Sequence, residues 1–223
     1  MDTATVSTLV VGAVVLVIAL IVVSVLRERE RKERLREWAT HNGWSMTLSP
    51  SVDWGRRLPG HNRRGVTLAL SGTIDGRPVT IAEYYHKEET TSSGLNDRSS
   101  TSTSTRTYYY VLLVVRLSRP GPSIGVYRRR ALSKFGRFLF GDRATAIGQE
   151  PFDSEYRVAA KDASVVPQVL RPALVREHIA GYLPEWSLEG QDLLTYHQGR
   201  IGDPTTIPDM FGPLLRVATL LEK

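Results

Sequence analysis

The 223-residue sequence predicts an α+β protein: an N-terminal transmembrane helix followed by a domain of antiparallel sheet, laid down in hairpins, with packed helices. Three observations predict it. Residues 6–26 are an uncharged apolar run. Strand-like segments come in pairs around turn residues. Segments of helical period stand in blocks between those pairs, which is not the single-strand, single-helix alternation of a parallel α/β fold.

Composition narrows the function classes. The chain has 24 Arg and 5 Lys against 23 acidic residues and no cysteine, so disulfides, Cys-ligated metals and thiol nucleophiles are excluded. Its length allows one domain with appendages.

The run VSTLVVGAVVLVIALIVVSVL, Val6 to Leu26, holds 21 residues. At 1.5 Å per residue it matches a hydrocarbon core of roughly 30 Å. A buried helix of a soluble protein would find nothing to pack against over such a length at the terminus. A cleavable signal needs a basic leader, yet only Asp2 precedes the run, and Ser24-Val25-Leu26 abuts charge directly. Six basic side chains in residues 27–36 then orient the span, with the N-terminus outside and the rest cytoplasmic in a cell membrane. Residues 27–43 read as a charged helical stalk, with Glu28 four residues before Lys32 and Glu30 four before Arg34. Gly43 is placed to end it.

Residues 44–223 are expected to form the cytoplasmic domain. Trp44 to Leu48 alternates as a short strand. Val66–Ile74 and Arg77–Tyr85 flank Asp75-Gly76, a type I′ turn pair. That turn predicts Leu70 opposite Ile81, Gly72 opposite Val79, Ser71 opposite Thr80 and Ala69 opposite Ala82, with Pro78 at a non-hydrogen-bonded pair. Residues 90–107 hold twelve Ser or Thr and read as part of a disordered loop over about 87–107. Tyr108–Leu117 is apolar on both faces, as a central strand is. Arg119 to Ser123 reads as a turn, and Ile124–Tyr127 as a short strand after it. Arg128 to Gly141 has helical period, Phe152–Val158 alternates as a strand, and 163–180 is helical with a break near Arg171 imposed by Pro172. Trp186–Glu189 and Asp192–His197 read as a second hairpin, and the chain closes on an amphipathic helix with Leu214, Val217, Ala218 and Leu221 on one face.

Several of these segments together resemble a family of uncharacterised single-pass membrane proteins of high-G+C Gram-positive bacteria. The residues that carry the resemblance are Trp38-Ala39 with Gly43-Trp44, the stretch Ser71 to Val79, Tyr109 to Leu113, Phe152 to Val158, Leu170-Arg171-Pro172 and Leu188-Glu189-Gly190. It implies the same topology and location. The family has no assigned activity, so no catalytic residue transfers.

Site signals are sparse. The five histidines (His41, His61, His86, His178, His197) show no HxxxH or HExxH spacing, and no GxSxG, SxxK or phosphate-loop motif is present. No cofactor is expected, and no catalytic or metal residue is assigned. The most distinctive stretch is Arg128 to Arg143, with a net charge of +5 beside Leu132, Phe135, Phe138 and Leu139. There Arg128, Arg129, Arg130, Lys134 and Arg137 are the candidate contacts to an anionic lipid surface or a protein partner. A membrane-surface location accounts for the basic charge without nucleic acid. The expected function is a membrane-anchored, non-enzymatic interaction module with an unidentified protein partner. The alternative is an accessory subunit of an envelope or transport complex, and the third reading is an enzyme whose site leaves no local motif.

Overall fold

The structure is a computed structural model that describes the backbone of residues 3–93, 101–129 and 144–223, and the side chains of residues 12, 15–90, 103–129 and 146–223. The chain divides into two compact units, residues 1–43 and 44–223.

The first unit is one helix, α1 (Thr3–His41). Glu28 pairs with Arg31 at 3.0 Å and with Lys32 at 3.5 Å, and Glu33 pairs with Arg36 at 2.8 Å, so the stalk is laced by helix-spaced ion pairs. Gly43, with φ +71°, follows its end. Among the described residues, no helix is long and apolar enough to cross a membrane. This corrects the expectation of a single-pass transmembrane span, and with it the cell-membrane placement with N-terminus outside and cytoplasmic domain.

The second unit is an antiparallel sheet with several helices, as the α+β reading expects. Its strands are β1 (Ser45–Leu48), β2 (Val66–Ile74), β3 (Arg77–Ser93), β4 (Thr101–Arg128), β5 (Ala144–Thr145), β6 (Tyr156–Ala160) and β7 (Trp186–Gln198). The order is β1-β2-β3-β4-β6-β5, and β7 pairs with the other side of β4. The β2–β3 register is the expected one, pair for pair, from Ala69↔Ala82 to Thr73↔Pro78. Its turn residues Asp75 and Gly76 sit at φ +50° and +75°, the left-handed pair that a type I′ turn requires.

Two faces follow from this register. On one, Ala69, Ala82, Leu112, Val114 and Leu194 form a core with Tyr84 and Leu58, against which Val52 and Trp54 pack. On the other, Gly72, Val79, Val115 and Leu193 share a row. Trp44 lies against Gly72 and 6.3 Å from the Phe211 ring. The closing helices, α5 (Ile207–Met210) and α6 (Gly212–Leu221), bury Ile207, Leu214, Val217 and Ala218, and α6 packs on β4 and β7. Near the far end of β4 stand α2 (Glu150–Glu155), α3 (Val166–Val169) and α4 (Pro172–Ile179). Arg171 between the last two is extended, at φ −65° and ψ 158°, the break that Pro172 imposes.

Five local expectations are corrected. The loop assigned to 87–107 is hairpin ladder over most of its length, with Lys87↔Thr107 through Ser93↔Thr101 paired, because threonine suits a strand and the ladder extends directly from the ordered Tyr85↔Tyr109 pair; residues 94–100 lie outside the described residues. Arg119–Ser123 is no turn. β4 runs through it as an irregular stretch, with four residues between Arg116 and Gly121 facing one between Asp192 and Gly190, and such a bulge tolerates Pro120 and Pro122. Trp186–His197 is no hairpin but one strand kinked at Gly190, φ +58°. Of the strand expected over Phe152–Val158, residues 156–158 are strand, but 152–155 belong to a helix. Pro151 in the first turn and the Asp153 carboxylate, accepting the N–H groups of Ile147 and Gln149 at 2.9 Å each, start that helix. Finally, Arg128 ends β4, opposite Tyr156, and does not open a helix; the helix expected over 128–141 otherwise falls on residues 130–143, outside the described residues.

Candidate binding site

A cavity of about 430 Å³ opens beside the β4–β7 ribbon, walled by residues 183–187 and 194–198 and by Tyr127 and Arg128 at the end of β4. Both arms of the kinked β7 therefore contribute to one wall. Tyr127 is 6% exposed. Its ring lies over Gly125, where a Cβ would come within 2.6 Å of it, so a side chain at 125 would displace the phenol. Among the described residues the Tyr127 hydroxyl has no hydrogen-bond partner. Burial pushes this phenol up to about 12, with Ser187 and the Arg57 guanidinium offsetting part of the rise. It therefore stands as a neutral O–H, able to donate and accept, buried within the cavity wall with the Ser187 side chain beside it.

The surrounding groups set the polarity. Burial raises the Glu185 pKa, and the Arg128 backbone N–H and guanidinium draw it back. Tyr196 packs edge-on to Tyr110 at 5.8 Å, and burial raises its pKa also. Leu183 and Leu194 are buried and supply apolar wall. Behind the ribbon, Arg57 has a side chain only 4% exposed. Its Nη1 donates to the Asp192 carbonyl at 3.0 Å, and its Nε lies 3.9 Å from Glu189. Burial lowers the Arg57 pKa, and Glu189 and Asp192 oppose that shift. Trp54 Nε1 donates to the Asp192 carboxylate at 2.8 Å, so the segment before β2 is bolted to the kink of β7.

Of the five basic residues singled out in sequence, Arg128 lines this cavity. Arg129 is an exposed turn residue whose N–H donates to the Glu155 carbonyl at 2.8 Å and whose Nε donates to the Asp153 carbonyl at 2.5 Å. Arg130, Lys134 and Arg137 lie outside the described residues. Tyr127, Gly125, Arg57 and Tyr196 escaped sequence reasoning. The spacing Gly125-Val126-Tyr127 signals only a strand, and nothing near Arg57 in sequence marks it as buried.

The histidines are structural where they are deepest. His178 accepts the Trp186 indole N–H at 2.9 Å, within a cluster of Phe152 and Tyr156, and burial lowers its pKa to about 4. His86 stacks between Tyr108 and Tyr110 at 5.2 and 5.6 Å. Tyr109 points to the opposite face, 43% exposed, with the Arg200 guanidinium 4.9 Å above its ring. The three successive tyrosines therefore form no common stacking platform. Among the described residues, no group of three His, Asp or Glu side chains could hold a metal ion.

No protein-family model matches the chain, and no curated protein matches it. Its structure is similar to the crystal structure of the mycobacterial trehalose monomycolate transport factor A, TtfA, at 12% sequence identity, covering 84% of this chain and 90% of that one with a TM-score of 0.48. At this score the likeness carries no argument for function.

Proposed function

We propose that residues 44–223 are a non-enzymatic binding module whose ligand or partner side chain enters the cavity between the arms of β7. The observation that supports this reading is the Tyr127 hydroxyl, buried and unpartnered in the cavity wall. A buried polar group without a partner costs about 1–3 kcal/mol, and a bound acceptor would relieve that cost.

The test is Tyr127→Phe, with unfolding followed in denaturant and ligand-observed NMR against a panel of small amides and carboxylates. The variant is expected to be as stable as the parent, or more stable by about 1 kcal/mol, while losing its amide and carboxylate ligands. A destabilisation above about 2 kcal/mol would show that the hydroxyl already has a structural partner, and the reading would fall.

A further inference from the structure

A second cavity, of about 670 Å³, lies where the irregular stretch of β4, the segment from Val165 to Arg171 and the end of α6 meet. No residue lines both this cavity and the one beside β7. Gly121 and Leu188 belong to its lining, and a Cβ on Gly121 would come within 2.6 Å of the Leu188 side chain, so glycine lets the bulged strand close over that leucine.

The charges of the lining do not cancel. Arg119, Arg171 and Lys223 all line the cavity and are exposed to solvent. Among the described residues the lining holds one acid, Glu222, and it is already engaged. Its carboxylate accepts the Ser118 N–H and O–H at 2.7 Å each and pairs with Arg77. Arg171 uses its Nε alone, donating to the Gln168 carbonyl at 3.2 Å. Among the described residues none of the three cations is in an ion pair. Other arginines of this domain are neutralised in place, Arg56 by Asp53 and Glu189, and Arg216 by Glu177. The cavity is therefore a concave site with net positive charge.

The remaining wall narrows the ligand. Half-buried Val165, Val169 and Leu221 give it an apolar side, and its volume is that of a small-molecule pocket. No aromatic ring lines it, so a nucleobase would find no surface to stack on. Guanidinium forks fit the paired oxygens of a phosphate. A phosphate monoester carries about −1.5 to −2 charges near pH 7, which three cations match better than they match a single carboxylate.

We propose that this cavity binds a phosphate monoester of an aliphatic chain, the phosphate held by Arg119 and Arg171 with Lys223 beside them, and the chain laid against Val165, Val169 and Leu221. A soluble alkyl phosphate and a phosphatidate headgroup share this chemistry.

The experiment titrates the full chain with hexyl phosphate, inorganic phosphate and hexanol, followed by calorimetry and by amide chemical shifts. Hexyl phosphate is expected to bind about tenfold or more tightly than inorganic phosphate, because only it buries an apolar chain. Hexanol is expected not to bind, the shifts to concentrate in residues 118–123 and 165–171, and the affinity to fall as salt is raised. Arg119→Gln and Arg171→Gln are each expected to weaken hexyl phosphate binding about tenfold, by loss of a charge-assisted hydrogen bond. Both side chains are exposed, so both variants are expected to keep the parent's denaturant midpoint. Arg176→Gln, at an exposed arginine of α4 outside the cavity, is expected to leave the binding unchanged. Displacement of hexyl phosphate by phosphatidylcholine vesicles containing phosphatidic acid, and not by phosphatidylcholine alone, assigns the site to a lipid headgroup; no displacement by either assigns it to a soluble phosphate. Absence of hexyl phosphate binding overturns the proposal, and so does binding that equals that of inorganic phosphate or that survives both cavity arginine substitutions unchanged.

Discussion

Two antiparallel ribbons in this sheet are kept in register by different means. In the β2–β3 ribbon the partners are close in sequence, and the two left-handed residues Asp75 and Gly76 dictate the pairs from Ile74↔Arg77 to Leu68↔Glu83, with a register shift only beyond them at Val66. In the β4–β7 ribbon Arg116 faces Asp192, the register slips twice around Gly121, and alignment comes from a buried guanidinium and an indole reaching the kink from the segment before β2. A register written in a turn can be read by eye. One held by groups more than a hundred residues apart belongs to the folded state alone. The second ribbon is also the one that borders the cavity, so its irregularity and the candidate site share one cause.

The strongest way to break this contrast is Trp186→Ala, which empties the site of a 1%-exposed indole in the distal arm of the second ribbon. The expected cost is about 3–5 kcal/mol in the denaturant midpoint. A cost near zero would mean that this arm unfolds separately from the rest.

Acid should act on the same arm. His178 has a pKa of about 4 when folded against an ordinary 6.5. Below pH 6.5 the unfolded chain takes up a proton that the folded chain refuses until about pH 4. Stability present above pH 6.5 is therefore lost as the pH falls, by about 3 kcal/mol across that window. Unfolding measured from pH 7 to 4 checks it, and His178→Phe should flatten the profile.

Arg57→Met sharpens the comparison directly. It removes the hydrogen bond to the Asp192 carbonyl and should cost about 1–3 kcal/mol. Faster amide exchange is expected around the β7 kink, with the β2–β3 pairs unchanged.

The smallest effect is expected from Gly76→Ala, where φ +75° strains any side chain by roughly 1–2 kcal/mol. The β4–β7 ribbon should not respond, since its register does not depend on that turn.

The same physics decided what was legible in sequence. The Asp75-Gly76 register, the strand at 45–48, the apolar centre of β4, the break before Pro172 and the face of the closing helix all follow from residues within a few positions of one another. Pro120, Gly121 and Pro122 looked like a turn because proline and glycine are the residues turns favour; pairing of β4 before and after them carries the strand through. Gly190 looked like a hairpin for the same reason. The Ser/Thr stretch looked unstructured because its apolar content is low, whereas its order comes from the ladder it extends. Of the candidate site, only Arg128 was marked, as a member of a charge run. Tyr127, Gly125 and Arg57 matter through burial and through partners that no short window contains.

The central position of β4 has a consequence during synthesis. β4 ends at Arg128 and the strand that covers its second side ends at Gln198. A ribosome making roughly 5–20 residues per second completes the first about 4–14 s before the second. Throughout that interval the run Val111–Val115 is paired by β3 on one side and open on the other. The nascent chain thus presents an apolar strand edge that chaperones can capture and that neighbouring nascent chains can pair with, and slower translation between codons 128 and 198 lengthens the exposure.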